Sequence, residues 1–127
     1  MWVGEMISDI NQAILLVTDS GREEECMIRL SRVGYDNTIG YLEGGFASWE
    51  QAGKETDSLK RITGEQLEEM LQTADLPLFD VRKKSEFDSE HLLNSVNIPL
   101  NQLNTKLDSF PKDKSFVIYC AGGYRSM

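Results

Sequence analysis

The stretch that decides the fold is "SFVIYCAGGYRSM", residues 115–127. It begins with a short apolar run that ends at Cys120, and a turn rich in small residues follows. A short apolar run bounded by turn residues is typical of a buried strand. The sequence therefore predicts a strand at 115–120 that leads directly into a loop beginning next to a cysteine.

The loop after Cys120 has the composition that a reactive thiol needs. A cysteine is nucleophilic as the thiolate, and an ordinary thiol is mostly protonated at neutral pH. Ala121, Gly122 and Gly123 suit a tight curl that points backbone N–H groups at one centre and stabilises an anion there. Arg125 adds a fixed positive charge. The alternative is a small, buried, unreactive cysteine at a strand end, and this short motif alone leaves both interpretations open.

Short strands alternate with short helices along the rest of the chain. Thr63 and Gln66 form the S/T-x-x-E/Q pattern of a helix start, and Ser85 is the expected N-cap of a later helix. The strands are expected at residues 13–18, 37–45, 76–81, 95–100 and 115–120, and the helices at 22–33, 46–53, 63–74, 85–93 and 103–110. This alternation predicts an α/β fold with a parallel sheet and helices on both faces. In such a sheet, ligands bind beyond the carboxyl ends of the strands, which is where Cys120 falls.

Composition narrows the class of function. The net charge of −8 makes a nucleic-acid partner unexpected, because phosphate binding needs basic patches. No apolar run approaches the ~20 residues of a membrane span. One histidine and two widely separated cysteines, Cys26 and Cys120, offer neither a zinc spacing nor a disulfide scaffold, so we expect no metal and no cofactor. A reducing, cytoplasmic location is the default for such a chain.

Three motifs resemble the first part of a rhodanese domain, in order and at the usual spacing. They are "LPLFDVRKKSEF" (76–87), "EHLLNSVNIPL" (90–100) and "FVIYCAGGYRS" (116–126). A fourth, "GYLEGGFASW" (40–49), is similar to the final strand and helix of the same domain. The resemblance implies a rhodanese-like fold assembled from two half-domains. Residues 1–57 resemble the C-terminal half of one domain, and residues 58–127 resemble the N-terminal half of the next, ending in its active-site loop.

This order of parts is similar to a segment of a tandem rhodanese protein. Such pairs follow a metallo-β-lactamase-type domain in some bacterial fusion proteins. Aligned at the strands, Thr18 stands where Cys120 stands, so the first half-domain lacks the thiol. We therefore expect a piece of a longer protein. We also expect it to be weakly active by itself, because the helix that would follow Arg125 is not part of it.

The resemblance implies a sulfurtransferase. Cys120 would accept a sulfane sulfur from thiosulfate or a persulfide and pass it to a thiol or cyanide, with Arg125 holding the anionic group of the donor. Small sulfur donors and thiol acceptors are thus the implied partners. Asp80 and Arg82 match the "DVR" signature of the family and are expected to support the loop, although a purely structural ion pair is the other interpretation. The residues that would bind the substrate in an amide cradle are Ala121, Gly122, Gly123 and Tyr124.

Two other classes of function stay open. A cysteine phosphatase or arsenate reductase uses a similar cradle, but those loops resemble C-x5-R. Here "CAGGYR" is C-x4-R, which suits a sulfur atom better than a phosphoryl group. A non-catalytic interaction or regulatory module fits the first half-domain, where Thr18 and Asp19 replace the thiol and an acidic loop would repel an anionic donor. His91 is interpreted as a packed residue and Cys26 as a structural one.

The two half-domains carry complementary parts of one sheet. The sequence therefore predicts a composite parallel sheet in which a strand at 37–43 pairs with the strand at 115–120. The pairing would form either within a chain or by exchange in a swapped homodimer. Glu90 and Asn94 stand where the family has glycines, so the turn that contains them is expected to differ from the usual one.

Overall fold

The computed structural model describes residues 2–127, which form two compact units. The first unit contains residues 3–58, and the second contains Trp2 and residues 59–127. Parallel sheets flanked by helices confirm the predicted α/β class. None of the helices formed by residues 2–127 is long and apolar enough to cross a membrane.

The first unit has a two-stranded parallel sheet. Its elements are α1 (Val3–Met6), β1 (Ile14–Leu16), α2 (Glu23–Ser31), β2 (Thr38–Tyr41) and α3 (Gly45–Gln51). In the sheet, β1 and β2 lie side by side with Leu16 opposite Tyr41. Leu16 and Tyr35 are the buried hydrophobic residues of this unit, and the Tyr35 hydroxyl donates a hydrogen bond to the backbone carbonyl of Ile7. The helix α1 was not predicted, because it is too short to show a hydrophobic period.

The turn between β2 and α3 requires glycine. Gly44 and Gly45 have φ angles of 75° and 60°, which non-glycine residues rarely adopt. A Cβ atom on Gly45 would lie 2.1 Å from the backbone oxygen of Thr18. Gly45 therefore lets the β2–α3 turn pack directly against the chain that leaves β1.

The second unit has a three-stranded parallel sheet in the order β4-β3-β5. Its elements are α4 (Gly64–Thr73), β3 (Leu78–Asp80), α5 (Lys84–Ser89), β4 (Ser95–Asn97), α6 (Leu103–Lys106) and β5 (Val117–Tyr119), with 3-10 turns at Leu100–Gln102 and Leu107–Ser109. All three residues of β3 are buried because this strand lies between the other two. The central strand therefore places Asp80 at the carboxyl edge of the sheet, opposite Tyr119.

Aromatic packing holds the core of the second unit. The Phe79 ring lies 4.6 Å from Phe110 and 5.5 Å from Phe116, measured between centroids, and the last two rings are 5.5 Å apart. Tilted and edge-on pairs of this kind contribute about 0.5–1.5 kcal/mol each beyond the area that they bury. Val81, Ile98 and Leu100 are buried as well. The chain that leads to β5 is thus fixed against the central strand.

Helix starts were predicted with mixed success. The Thr63 cap is confirmed: its hydroxyl accepts a hydrogen bond from the Gln66 amide, and the Gln66 side chain accepts one from the Thr63 amide. The Ser85 N-cap is wrong, since α5 begins at Lys84 with Lys83 at the cap position. The Glu86 carboxylate accepts the hydrogen bond of the Lys83 amide, and this side chain fixes the helix start ahead of Ser85.

The composite sheet is wrong for a single chain. Among residues 2–127, β2 pairs with β1 in one sheet, and β5 pairs with β3 in another. Each unit pairs its own strands, which lie closer together in sequence than strands of different units, so that closing the loops between them costs less entropy. Strand exchange between two chains stays a prediction. So does the origin of residues 1–57 and 58–127 as two half-domains.

Candidate active site

The candidate site lies at the carboxyl edge of the three-stranded sheet. Cys120 follows β5 directly, and Asp80 ends the neighbouring strand β3. The amide of Val81 donates to the carbonyl of Tyr119 at 3.1 Å, which continues the pairing up to the residue before the cysteine. Cys120 therefore lies at the carboxyl edge of the sheet, where the sequence placed it.

The thiol of Cys120 is surrounded by hydrogen-bond donors. The amide of Gly123 donates to Sγ at 3.1 Å, and the Ser126 hydroxyl lies 3.6 Å from Sγ. Burial opposes ionisation, but hydrogen bonds from the Ser126 hydroxyl and from the backbone amides of Arg125, Gly122 and Ser126 outweigh it. They lower the pKa of the Cys120 thiol from 9.0 to about 7. A larger fraction of this thiol is therefore ionised at neutral pH than of an ordinary cysteine.

The loop residues between Cys120 and Arg125 are open to solvent. Gly123 has a φ of 78°, which turns its amide towards the sulfur at little steric cost. Ala121, Gly122 and Gly123 are exposed, and 76 % of Tyr124 is exposed. Between Cys120 and Arg125 the group that donates to the sulfur is the backbone amide of Gly123, and the role of this loop as an amide cradle for substrate stays a prediction.

Arg125 is held by an acidic side chain that the sequence did not single out. Its Nη1 and Nη2 atoms donate to the two carboxylate oxygens of Glu86 at 2.7 and 2.9 Å. Its guanidinium carbon also lies 4.7 Å from the ring centroid of Trp2, a member of the same unit. Only 9 % of the Arg125 side chain is exposed. The hydrogen bond from Arg125 is the main cause that lowers the pKa of Glu86 to about 2.

Asp80 and Arg82 form a closed pair. The fully buried carboxylate of Asp80 accepts hydrogen bonds from the Arg82 amide, Nε and Nη2 at 2.7–3.1 Å. Nη2 of Arg82 also donates to the backbone oxygen of Glu90 at 2.7 Å. The pair therefore links the end of β3 to the turn that precedes β4, and its support of the Cys120 loop stays a prediction.

Three further residues matter that sequence reasoning missed. Nδ2 of Asn97 donates to the backbone oxygens of Asp80 and Arg82, both at 2.9 Å, and so fixes the end of β3. The others are Glu86 and Ser126, described above. Glu86 is part of the quoted motif "RKKSEF" and Ser126 follows Arg125 directly, but nothing in a linear sequence shows which side chains meet.

The turn before β4 contains one residue in a glycine-like conformation, and its difference from the usual turn stays a prediction. Asn94 has a φ of 63°, a conformation that asparagine tolerates better than most residues. Glu90 has an extended φ of −163°, which needs no glycine. The His91 ring stacks on Phe87 at 3.9 Å between centroids, and its Nδ1 lies 2.8 Å from the Phe87 backbone oxygen. His91 is thus exposed to solvent but stacked on Phe87, and its interpretation as a non-catalytic residue stays a prediction.

The equivalent position in the first unit offers no thiol. Thr18 follows β1, and the turn ends at α2, where Glu25 pairs with Arg22 and Arg29 at 3.1 and 2.6 Å. Cys26 lies within α2. Throughout residues 2–127, no group of three or more His, Cys, Asp or Glu side chains is arranged to hold a metal ion.

The fold and the site together define an α/β domain with an acidic thiol in a loop at the carboxyl edge of a parallel sheet. The family model of the Rhodanese-like domain matches residues 63–127, just over half of the chain. The chain therefore belongs to the rhodanese-like family.

Several curated proteins are similar over the same half. The chain is 35% identical over 68 residues to the uncharacterized protein YqhL of Bacillus subtilis. This alignment covers 54% of this chain and 52% of YqhL. It is 30% identical over 69 residues to a sulfurtransferase of Allochromatium vinosum, covering 54% of this chain and 64% of the relative. It is 31% identical over 70 residues to the putative sulfurtransferase YtwF of Bacillus subtilis, with 54% and 68% covered. The chain thus spans about half to two thirds of the length of these relatives.

Among solved structures, a thiosulfate sulfurtransferase from Pseudomonas aeruginosa is similar, with 21% identity and a TM-score of 0.44. The alignment covers 98% of this chain and 28% of the chain of that structure.

Proposed function

We propose that the second unit carries the site of a rhodanese-type sulfurtransferase, with Cys120 as the nucleophile. The observation that carries the proposal is the Cys120 thiol itself. Its sulfur accepts a hydrogen bond from the Gly123 amide, and its pKa is about 7. A structural cysteine at a strand end would gain nothing from donors directed at its sulfur. The sulfurtransferases among the similar proteins support the same reaction class.

The reaction has two displacement steps. The Cys120 thiolate attacks the terminal sulfane sulfur of the donor, a new S–S bond forms, and the old bond breaks. The leaving group departs with the electron pair, as sulfite from thiosulfate or as a thiolate from a persulfide. A thiol or cyanide then attacks the outer sulfur of the Cys120 persulfide, and the Cys120 thiolate is regenerated.

The chain stabilises this chemistry through fixed dipoles. The Gly123 amide and the Ser126 hydroxyl lie where they stabilise the negative charge on Sγ, and preorganised donors of this kind need no rearrangement during the reaction. Arg125 and Glu86 connect the end of the loop to α5. Asp80 and Arg82 hold the strand end next to it in place.

Mass spectrometry tests the proposal. The chain is treated with thiosulfate or with cysteine persulfide, digested and searched for an added sulfur on the peptide that contains Cys120. Cys26→Ser should leave the added sulfur in place and Cys120→Ser should remove it. An added sulfur on Cys26 alone, or hydrolysis of p-nitrophenyl phosphate without any sulfur transfer, would refute the proposal and favour a different class of function.

The first unit is proposed to have a non-catalytic role. It has Thr18 in the place of the thiol, and acidic side chains, Glu23 among them, begin the following helix. We further propose that the parent protein is a cytoplasmic tandem rhodanese with a metallo-β-lactamase-type domain. The parent's full reading frame and the fractionation of its host cells test both points.

A further inference from the structure

An aromatic ring lies over the arginine that ends the Cys120 loop. The guanidinium carbon of Arg125 is 4.7 Å from the ring centroid of Trp2, which belongs to the second unit. We propose that Trp2 is a positioning residue of this site and acts on the Cys120 thiolate through Arg125. The inference rests on the proposed function, since it names a further residue that prepares the same thiol for attack on sulfur.

The distance between the two side chains is that of a cation–π contact. A guanidinium within about 6 Å of a ring centroid is attracted by the ring quadrupole, and tryptophan is the strongest of the aromatic partners. Only 9 % of the Arg125 side chain is exposed, and such contacts are stronger where water is excluded. The ring therefore restrains Arg125 without occupying any of its N–H donors.

Arg125 has enough donors to serve both Glu86 and the thiol. Nη1 and Nη2 donate to the Glu86 carboxylate at 2.7 and 2.9 Å, whereas a guanidinium carries five N–H donors in all. The hydrogen bond to Glu86 is the main cause that raises the pKa of Arg125, and a charge interaction and a side-chain hydrogen bond with Cys120 raise it further. The orientation of the guanidinium therefore decides how much of its charge reaches the sulfur.

Trp2 and Glu86 restrain different parts of the guanidinium. The bidentate carboxylate holds the edge of the planar group, which can still tilt about the axis of the pair. The Trp2 ring lies over the face and limits this tilt. It also keeps water from Arg125, so that the charge interaction with the thiolate is screened less. Without the ring, the thiolate of Cys120 would be less stable.

The other charged groups at this edge of the sheet do not change charge near neutral pH. Asp80 and Arg82 pair with each other, with Nε and Nη2 of the arginine 2.7–3.1 Å from the carboxylate. The pKa of Glu86 on α5 is lowered to about 2, chiefly by the hydrogen bond from Arg125. The reactivity of Cys120 around pH 7 therefore reports the ionisation of its own thiol.

The pH dependence of Cys120 alkylation tests the inference, in a Cys26→Ser background so that one thiol is observed. Trp2→Leu keeps an apolar side chain but has no ring face. The midpoint of alkylation by iodoacetamide should rise by about 0.3–0.7 of a pH unit, the shift that corresponds to one cation–π contact. Trp2→Phe restores a ring and should return the midpoint most of the way. An unchanged midpoint in Trp2→Leu, or equal midpoints in Trp2→Leu and Trp2→Phe, would overturn the inference.

Trp49 provides the matched control. Its exposure of 42 % is close to the 40 % of Trp2, but it lies in the first unit, where its Nε1 donates to the backbone oxygen of Glu55. Trp49→Leu should leave the midpoint of Cys120 alkylation unchanged. A rise equal to that in Trp2→Leu would show that the loss of either tryptophan affects the thiol, and the inference would be wrong.

A second measurement leaves Trp2 in place. In Trp49→Phe the remaining tryptophan is Trp2, and its fluorescence should change with pH through the midpoint of Cys120 alkylation. The reason is that the guanidinium over the ring also interacts with the thiolate. Adding Cys120→Ser should abolish this change, which separates it from any titration of the His91 ring. Fluorescence of Trp2 that is independent of Cys120 would overturn the inference.

These experiments separate the inference from the proposed function, because alkylation and fluorescence need no sulfur donor. If thiosulfate and cysteine persulfide add no sulfur to Cys120 while Trp2→Leu shifts the midpoint, the proposed function fails and the positioning role stands. If sulfur is added but Trp2→Leu leaves the midpoint unchanged, the positioning role fails alone. Circular dichroism shows whether the Trp2 variants fold, and the fluorescence of Trp2 decides the matter if they do not.

Discussion

The carboxylate of Asp80 and the guanidinium of Arg82 form a buried fork at the end of the central strand. Asp80 is fully buried, and the Nε and Nη2 atoms of Arg82 lie 2.7–3.1 Å from its two oxygens. These two residues are separated by a single position, and the Arg82 amide also donates to the Asp80 carboxylate, so the pair closes a short loop of chain at the end of β3. The pair thereby fixes the direction in which the chain continues towards α5.

Removing Arg82 should be costly. Arg82→Met leaves the buried carboxylate of Asp80 without its ionic partner, and the free energy of unfolding should fall by about 3–5 kcal/mol. Lys84→Met, which breaks the exposed pair with Asp88, is the control and should cost less than about 1 kcal/mol. Urea unfolding measures both. Similar small losses in the two variants would contradict the structural role given to Arg82.

The reactivity of Cys120 should follow its lowered pKa. The rate of alkylation by iodoacetamide should rise with pH through a midpoint near 7, because only the thiolate reacts. Ser126→Ala removes the hydroxyl that lies 3.6 Å from Sγ and should move this midpoint upwards. The measurement uses a Cys26→Ser background, so that a single thiol is observed. An unchanged midpoint in Ser126→Ala would show that the hydroxyl does not stabilise the thiolate.

Glu86 should make stability depend on pH under acid conditions. Its pKa falls from 4.5 to about 2 in the folded chain, chiefly through the hydrogen bond from Arg125. The carboxylate therefore contributes fully above about pH 4.5 and loses its contribution as the pH falls through about 2. Glu86→Gln should remove this part of the acid dependence, measured by urea unfolding between pH 2 and 5. If the free energy of unfolding depends on pH equally in the unaltered chain and in Glu86→Gln, Glu86 is not a source of the acid dependence.

The turn before β4 should accept glycine and resist alanine at position 94. Asn94 has a φ of 63°, which costs a residue with an ordinary Cβ about 1–2 kcal/mol. Asn94→Ala should therefore lower the free energy of unfolding by roughly 1 kcal/mol, and Asn94→Gly should leave it equal or higher. Thermal unfolding of the two variants decides the matter. A stable alanine variant would mean that the turn can adopt another conformation.

Two glycines of the first unit separate backbone strain from a steric clash. Gly45 and Gly53 have similar φ angles of 60° and 65°, but only Gly45 has an atom, the Thr18 backbone oxygen, within reach of an added Cβ. Gly53→Ala should cost about 1–2 kcal/mol from strain alone. Gly45→Ala should cost clearly more, because a backbone oxygen at 2.1 Å has to move. Equal losses in urea unfolding would contradict the close packing.

Local patterns predicted most of the elements. Apolar runs identified the five strands, and the Thr63–Gln66 pair identified the start of α4, because both features depend on residues close together in the chain. Element ends were less accurate, since side chains such as Glu86 fix them through contacts that no period shows. The composite sheet failed within one chain because complementary strand patterns do not decide which strands pair.

The sequence by itself determined that a thiol follows a strand directly and is followed by a glycine loop, because strand, cysteine and loop are contiguous in it. Only the tertiary structure decided what surrounds that thiol. Arg125 meets Glu86 across 39 positions of the chain, and Asn97 fixes the strand end that carries Asp80. The charge on Arg125 is visible in the sequence, but the carboxylate that pairs with it is decided by the fold, because the two residues meet only when α5 and the loop are packed together.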